Sequence, residues 1–128
     1  MSIVSTIYGK LNSLAPFATQ ESWDNSGLLV GDPDAGVHTA LVVLDITPKA
    51  VQEARKIGAE LIISHHPVIF RPLKKLEQGS VVWELARAGI SAICAHTNLD
   101  KARGGVNDCL AAALGLEQVG NYAVEGRE

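Results

Sequence analysis

The stretch ELIISHHPVIF, Glu60–Phe70, starts as an apolar run and ends in two adjacent histidines and a proline. Its first part, ELIIS, is short and has no polar face. A strand of that kind belongs inside a sheet covered on both sides. Two further runs share its character: TALVVLDI, Thr39–Ile46, and ISAICAH, Ile90–His96. A fourth, GLLVG, Gly27–Gly31, is bounded by glycines and also reads as a strand. Helical patterns alternate with these strands. That order indicates an α/β fold, a mostly parallel sheet flanked by helices on both faces.

The helices announce themselves by spacing and by their ends. Ile3, Val4, Ile7, Leu11 and Leu14 recur at helical period, with Ser2 placed to cap the start and Pro16 to end the run. Asp32–Gly36, DPDAG, is a turn. Thr47-Pro48 reads as an N-cap and first helical residue. Val51, Ala54 and Ile57 then line one face, and Gly58 closes the helix. A basic loop carrying Pro67 and Pro72 follows the histidines. Ser80 caps a helix with Val81, Leu85 and Ala86 inward and Gly89 at its end. A Gly104-Gly105 turn leads to a last helix with Val106, Leu110, Ala113 and Leu114 inward and Gly115 as its stop. The tail VGNYAVEGRE carries a further strand at its start. No repeat, low-complexity segment or linker interrupts the chain, so residues 1–128 read as one α/β domain.

Composition narrows the functions. The net charge is −3, and no basic run of the kind nucleic-acid binders show is present. No apolar run approaches the ~20 residues of a membrane span. The N-terminus, MSIVSTIYGKLNS, lacks the basic segment of a signal peptide. Cys94 and Cys109 both fall in apolar patterns and read as reduced core thiols, which fits a cytoplasmic protein. No GxGxxG or Walker A sequence supports a dinucleotide or P-loop site.

Ligands of open α/β sheets bind beyond the carboxyl ends of the strands. His65 and His66 lie there on the third strand, His96, Asn98 and Asp100 on the fourth, and Asp45 on the second. One rim of the sheet then gathers imidazoles and carboxylates, which zinc, iron, manganese and nickel all accept. Adjacent strand residues normally face opposite sides. Both histidines reach one site only where the chain leaves strand geometry, and Pro67 promotes that by removing a ladder N–H. His38, in a turn, reads as plain surface.

Four blocks carry a resemblance: ESWDNSGLLVGDP (Glu21–Pro33), LVVLDITPKAVQEA (Leu41–Ala54), GAELIISHHPVIFRPLK (Gly58–Lys74) and AICAHTNLDKARGGVND (Ala92–Asp108). In this order they resemble the dinuclear-metal-centre hexamer family, the interacting-factor-3-like proteins, many of them called GTP cyclohydrolase type 2 homologues. The resemblance implies a cytoplasmic toroidal homohexamer with two divalent metals per subunit. It assigns metal-ligand roles to His65, His66 and Asp100, and places His96, Thr97, Asp24 and Asn25 around the same cavity. Family members are much longer and carry a distal His-x-x-x-Glu that this sequence lacks. It therefore corresponds to the N-terminal half of such a protein, one part of a larger interlocked α/β structure, with an incomplete dinuclear site.

Two functions follow from the resemblance. One is a metal-dependent hydrolase, GTP cyclohydrolase-like, acting on a small molecule or nucleotide, with His96 as a catalytic proton shuttle. The other is a non-catalytic metal-binding or interaction scaffold in a hexameric ring. A third reading leaves the histidines as a polar rim of an ordinary α/β domain.

Overall fold

The computed structural model describes residues 2–117. The strand expected at the start of VGNYAVEGRE lies outside them. The elements run in the order β1 (Ser2–Ile3), α1 (Val4–Leu14), a 3-10 turn (Phe17–Thr19), β2 (Gly27–Val30), β3 (Gly36–Val37), β4 (Ala40–Val43), α2 (Pro48–Ile57), β5 (Leu61–Ser64), α3 (Val81–Ala88), β6 (Ser91–Cys94), α4 (Thr97–Lys101) and α5 (Val106–Ala113). The main sheet has the order β2-β6-β5-β4. β5 pairs in parallel with β4 and with β6, while β2 runs antiparallel to β6. The expected mostly parallel sheet with helices on both faces is present.

Alternation along β5 divides the core. Ile62 faces Val51 and Ala54 of α2 and Leu85 of α3. Leu61 faces the other way, into a cluster with Val4 of α1, Phe17 and Ile93. Each fully buried aliphatic side chain contributes about 1.5–3 kcal/mol of transfer free energy. β4, β5 and β6 advance across the sheet in one direction, so crossovers of one hand place α2 and α3 together on one face.

Local signals set the helix ends. The Thr47 hydroxyl accepts from Ala50 N at 3.1 Å, and Pro48 follows as the first helical residue. The Ser80 hydroxyl accepts from Trp83 N at 3.3 Å. Gly58 and Gly89 close α2 and α3 with φ of 70° and 67°, a left-handed conformation that costs other residues roughly 1–2 kcal/mol.

Several expectations are corrected. Ser2 does not cap α1; it pairs with Val37 in a small two-stranded sheet, and Ile3 occupies the cap position without a side-chain bond. The run Thr39–Ile46 is not buried throughout, because β4 is the sheet edge and Val42 and Leu44 are exposed. Ile57 and Ala86 lie at the outer margins of their helices and are exposed rather than inward. The apolar stripe of α5 is also open: Leu110 and Leu114 are exposed, and no residue of α5 is buried. Cys109, on that helix, is exposed, whereas Cys94 is buried in β6 as expected. The segment TNLDK, read only as a strand end, forms the short helix α4.

Candidate metal centre

Ser64 is the last residue of the β5 ladder, paired with Val43 on one side and Cys94 on the other. Beyond it the chain bends instead of continuing the pleat. His65 N donates to Val43 O at 3.3 Å, and His66 N to Leu44 O at 3.0 Å. The Ser64 hydroxyl donates to His66 O at 2.8 Å, and the Cys94 thiol to His65 O at 3.1 Å. Burial first, and the Asp24 charge second, push that thiol up to about 12, which keeps its proton available for the bond. The bend turns both rings to one side, 5.1 Å apart between centroids.

His96, just past β6, completes a trio. Its ring centroid lies 5.1 Å from that of His65 and 5.6 Å from that of His66. One ligating nitrogen from each of the three lies within 4.8 Å of the others. Every Nδ1 in the trio is already engaged. His65 Nδ1 is 2.9 Å from Ala95 O, His66 Nδ1 2.7 Å from Asp45 Oδ1, and His96 Nδ1 2.9 Å from Asp24 Oδ1. These oxygens accept, so each Nδ1 carries the proton and donates. In the neutral ring each Nε2 is then an open lone pair.

His65 shows what that lone pair needs. Its Nε2 lies 3.4 Å from Asp100 Oδ1. With the ring neutral, two acceptors face each other there, which is repulsive unless a proton or a cation lies between them. The donor set, imidazole nitrogens with a carboxylate oxygen and a fixed outer shell of carboxylates and a carbonyl, fits a divalent transition metal.

The antiparallel strand β2 brings the outer shell to this rim. Because β2 runs opposite to β6, the loop before it arrives where β6 ends, with Gly27 opposite Cys94. The side chain of Asp24 is fully shielded there. Its Oδ1 accepts from His96 and from Asn25 N, and its Oδ2 from Thr97 N, the Thr97 hydroxyl and the Ser26 hydroxyl. Burial alone would raise this carboxyl. The hydrogen bonds from Thr97, His96 and the backbone outweigh it and hold Asp24 well below the usual carboxylate range. Asn98, wholly buried, accepts from His96 N at 3.0 Å and donates to Ala15 O at 2.8 Å, tying the rim to the end of α1. Asn25 Nδ2 donates to Ile69 O at 2.6 Å and anchors the chain beyond the histidines.

Each site residue named from the sequence is thus at one rim. His65, His66 and His96 stand together, Asp100 meets His65, and Asp45 orients His66. His38 is elsewhere, on the surface beside Glu60 at 3.5 Å. The sequence placed Asn98 at this rim, and the resemblance placed Asp24 beside the cavity, but nothing in it marked them or Ser26 as the support of His96. Asp24 lies 72 positions from that ring, and its place depends on the direction of β2.

The model of the family described as Duf34/NIF3 (NGG1p interacting factor 3) matches residues 2–126. A protein of Staphylococcus aureus (strain COL) named GTP cyclohydrolase 1 type 2 homolog is 45% identical over 112 residues, 85% of this chain and 31% of its own length. The solved structure of a Staphylococcus aureus protein superposes with a TM-score of 0.86 at 41% identity, over 89% of this chain and 34% of that one. A Bacillus cereus protein related to NIF3 gives 0.87 at 38% identity, over 91% and 33%. The chain therefore spans about a third of the length of the curated relatives it matches. With the family model covering nearly its whole length, the chain belongs to the Duf34/NIF3 (NGG1p interacting factor 3) family.

Proposed function

We propose that the rim binds a divalent metal, zinc, iron, manganese or nickel, through His65, His66 and Asp100, in a metal-dependent hydrolase of the kind that the relatives' name, GTP cyclohydrolase 1 type 2 homolog, describes. The observation that carries this reading is the His65 Nε2 lone pair facing Asp100 Oδ1 at 3.4 Å, with its tautomer fixed by Ala95 O. A metal held there supplies Lewis acidity toward water and a substrate oxygen. His96 keeps its Nε2 at the same centre while Asp24 holds its other nitrogen, so it exchanges a proton at Nε2 without turning. Asp45 orients His66 in the same manner. The second metal, its remaining ligands and the hexameric ring belong, in this reading, to the part of the relatives' length that this chain does not span. The open stripe of α5 and the exposed Val42 and Leu44 support a cover of that kind.

Metal titration of the chelator-stripped chain tests it. The wild type is expected to bind at least one of the four metals, and His65→Ala and Asp100→Ala to bind it about 10–100-fold more weakly, or worse. No binding, or binding indifferent to both substitutions, overturns the metal reading. Metal binding without hydrolysis of GTP or simpler phosphate esters by a relative of full length would leave the scaffold function.

A further inference from the structure

The segment after the histidines is unlike the rest of the chain. Residues 71–77 carry Arg71, Lys74 and Lys75 against the single acid Glu77, a net +2 within a chain of net charge −3. Lys75 is neutralised by Glu77 at 2.5 Å. Among the described residues, neither Arg71 nor Lys74 has an acidic partner within ion-pair distance. These side chains line a cleft of about 530 Å³ together with Val68, Ser80 and Val81. That size lies within the usual range for small-molecule sites.

The cleft is joined to the rim through the backbone of residues 66–69. Val68 stands two positions beyond His66 and packs on the core beneath. Asn25, next to the carboxylate that holds His96, fixes the backbone at Ile69. Pro72 restricts Arg71 to extended backbone. The Ser80 hydroxyl donates to Glu77 O at 2.8 Å, which fastens the far end of the loop. α3 begins at that end, so the positive pole of its dipole adds to the two cations.

We propose that this cleft is the phosphate subsite for the ligand handled at the histidine rim, and that the ligand is a small phosphate ester such as a nucleotide. Arg71 offers a planar fork and Lys74 a point charge, the pair of donors that phosphate oxygens take. A polymer is disfavoured, because a nucleic-acid footprint engages many phosphates and this patch has two open cations on an acidic chain. The role of the subsite in a reaction rests on the metal reading of the rim, but anion binding is measurable without it.

Calorimetry on the chelator-stripped chain, with pyrophosphate, GTP and guanosine as probes, decides the matter. Pyrophosphate and GTP should bind and guanosine should not. The double variant Arg71→Gln, Lys74→Gln should weaken both by about tenfold or more, the loss of one or two charge-assisted hydrogen bonds. Both probes are read with no metal present, which separates failure here from failure of the metal reading, and His38→Ala, on the surface beside Glu60, should leave them within about twofold. Both replaced side chains are exposed, so the fold is not at stake. Binding of guanosine as tight as GTP, or binding unmoved by the double variant, overturns the proposal. So does loss of anion binding in His38→Ala, or a single-stranded oligonucleotide bound where GTP is not.

Discussion

β4 and β6 have the same length and similar apolar sequences, ALVV and SAIC, yet they lead different lives. Every residue of β6 is buried. In β4, Leu41 and Val43 pack on the core below α2, while Val42 is 72% exposed on the opposite face. The difference lies in neighbours. Among the described residues, β6 has β2 on one side and β5 on the other, and β4 has β5 alone. α1 and the 3-10 turn cover β6 and β5 but leave β4 bare. An apolar run thus specifies a strand, while its place in the sheet specifies what the run buries. The open edge also lacks the lysines and prolines that usually guard one.

The largest expected contrast is in thiol chemistry. Cys94 lies in β6 with its thiol pushed up to about 12, whereas Cys109 is exposed on α5. A maleimide or Ellman assay should modify Cys109 at once and Cys94 at least about a thousandfold more slowly, through opening of the core. Equal rates would mean that β6 is not the protected centre of the sheet.

Substitution sharpens the same contrast. Ile93→Ala, at a wholly buried site in β6, should cost about 2–5 kcal/mol in denaturant unfolding. Val42→Ala in β4 should stay within about 0.5 kcal/mol. Comparable losses would mean that β4 is covered in solution, by a second copy of the chain for instance.

A smaller effect separates the two strand ends at the rim. Asp24 is shielded beyond β6, and Asp45 is half exposed beyond β4. With metal removed, Asp24→Asn should destabilise by about 1–3 kcal/mol and Asp45→Asn by less than about 1. The Asp24 contribution also carries a pH signature. Its folded carboxyl sits below the ordinary value of 3.8, so the stabilisation is complete above that value and declines as pH falls below it. Unfolding curves of wild type and Asp24→Asn should therefore converge on acidification below about pH 4. A gap that is constant with pH would assign the loss to packing.

What the sequence disclosed follows from range. Thr47, Ser80, Gly58 and Gly89 act within a few residues of themselves, and each ends its helix as its type dictates. The convergence of His65 and His66 was legible because a strand end, two imidazoles and a proline are all local. The pairing of Ser2 with Val37 was not, because Ser2 suits a cap equally well and only a distant partner decides. The stripe of α5 has helical period but no surface of the described chain against which to close, so its exposure is invisible to periodicity. Asp24 is the sharpest case, since residue type gave no sign that this carboxylate would hold His96 from the far side of an antiparallel strand.

The central place of β6 also fixes an order of assembly. During synthesis Asp24 emerges first, then the paired histidines, and only then the strand that joins β2 to β5. Until that strand inserts, β2 has no partner in the main sheet among the described residues, His65 lacks the Ala95 carbonyl that sets its tautomer, and Asp24 lacks His96 and Thr97. Closing so long a loop is slow compared with forming α2 or α3. A nascent chain therefore shows two neighbouring imidazoles for some time without the trio, which is complete only once β6 has inserted.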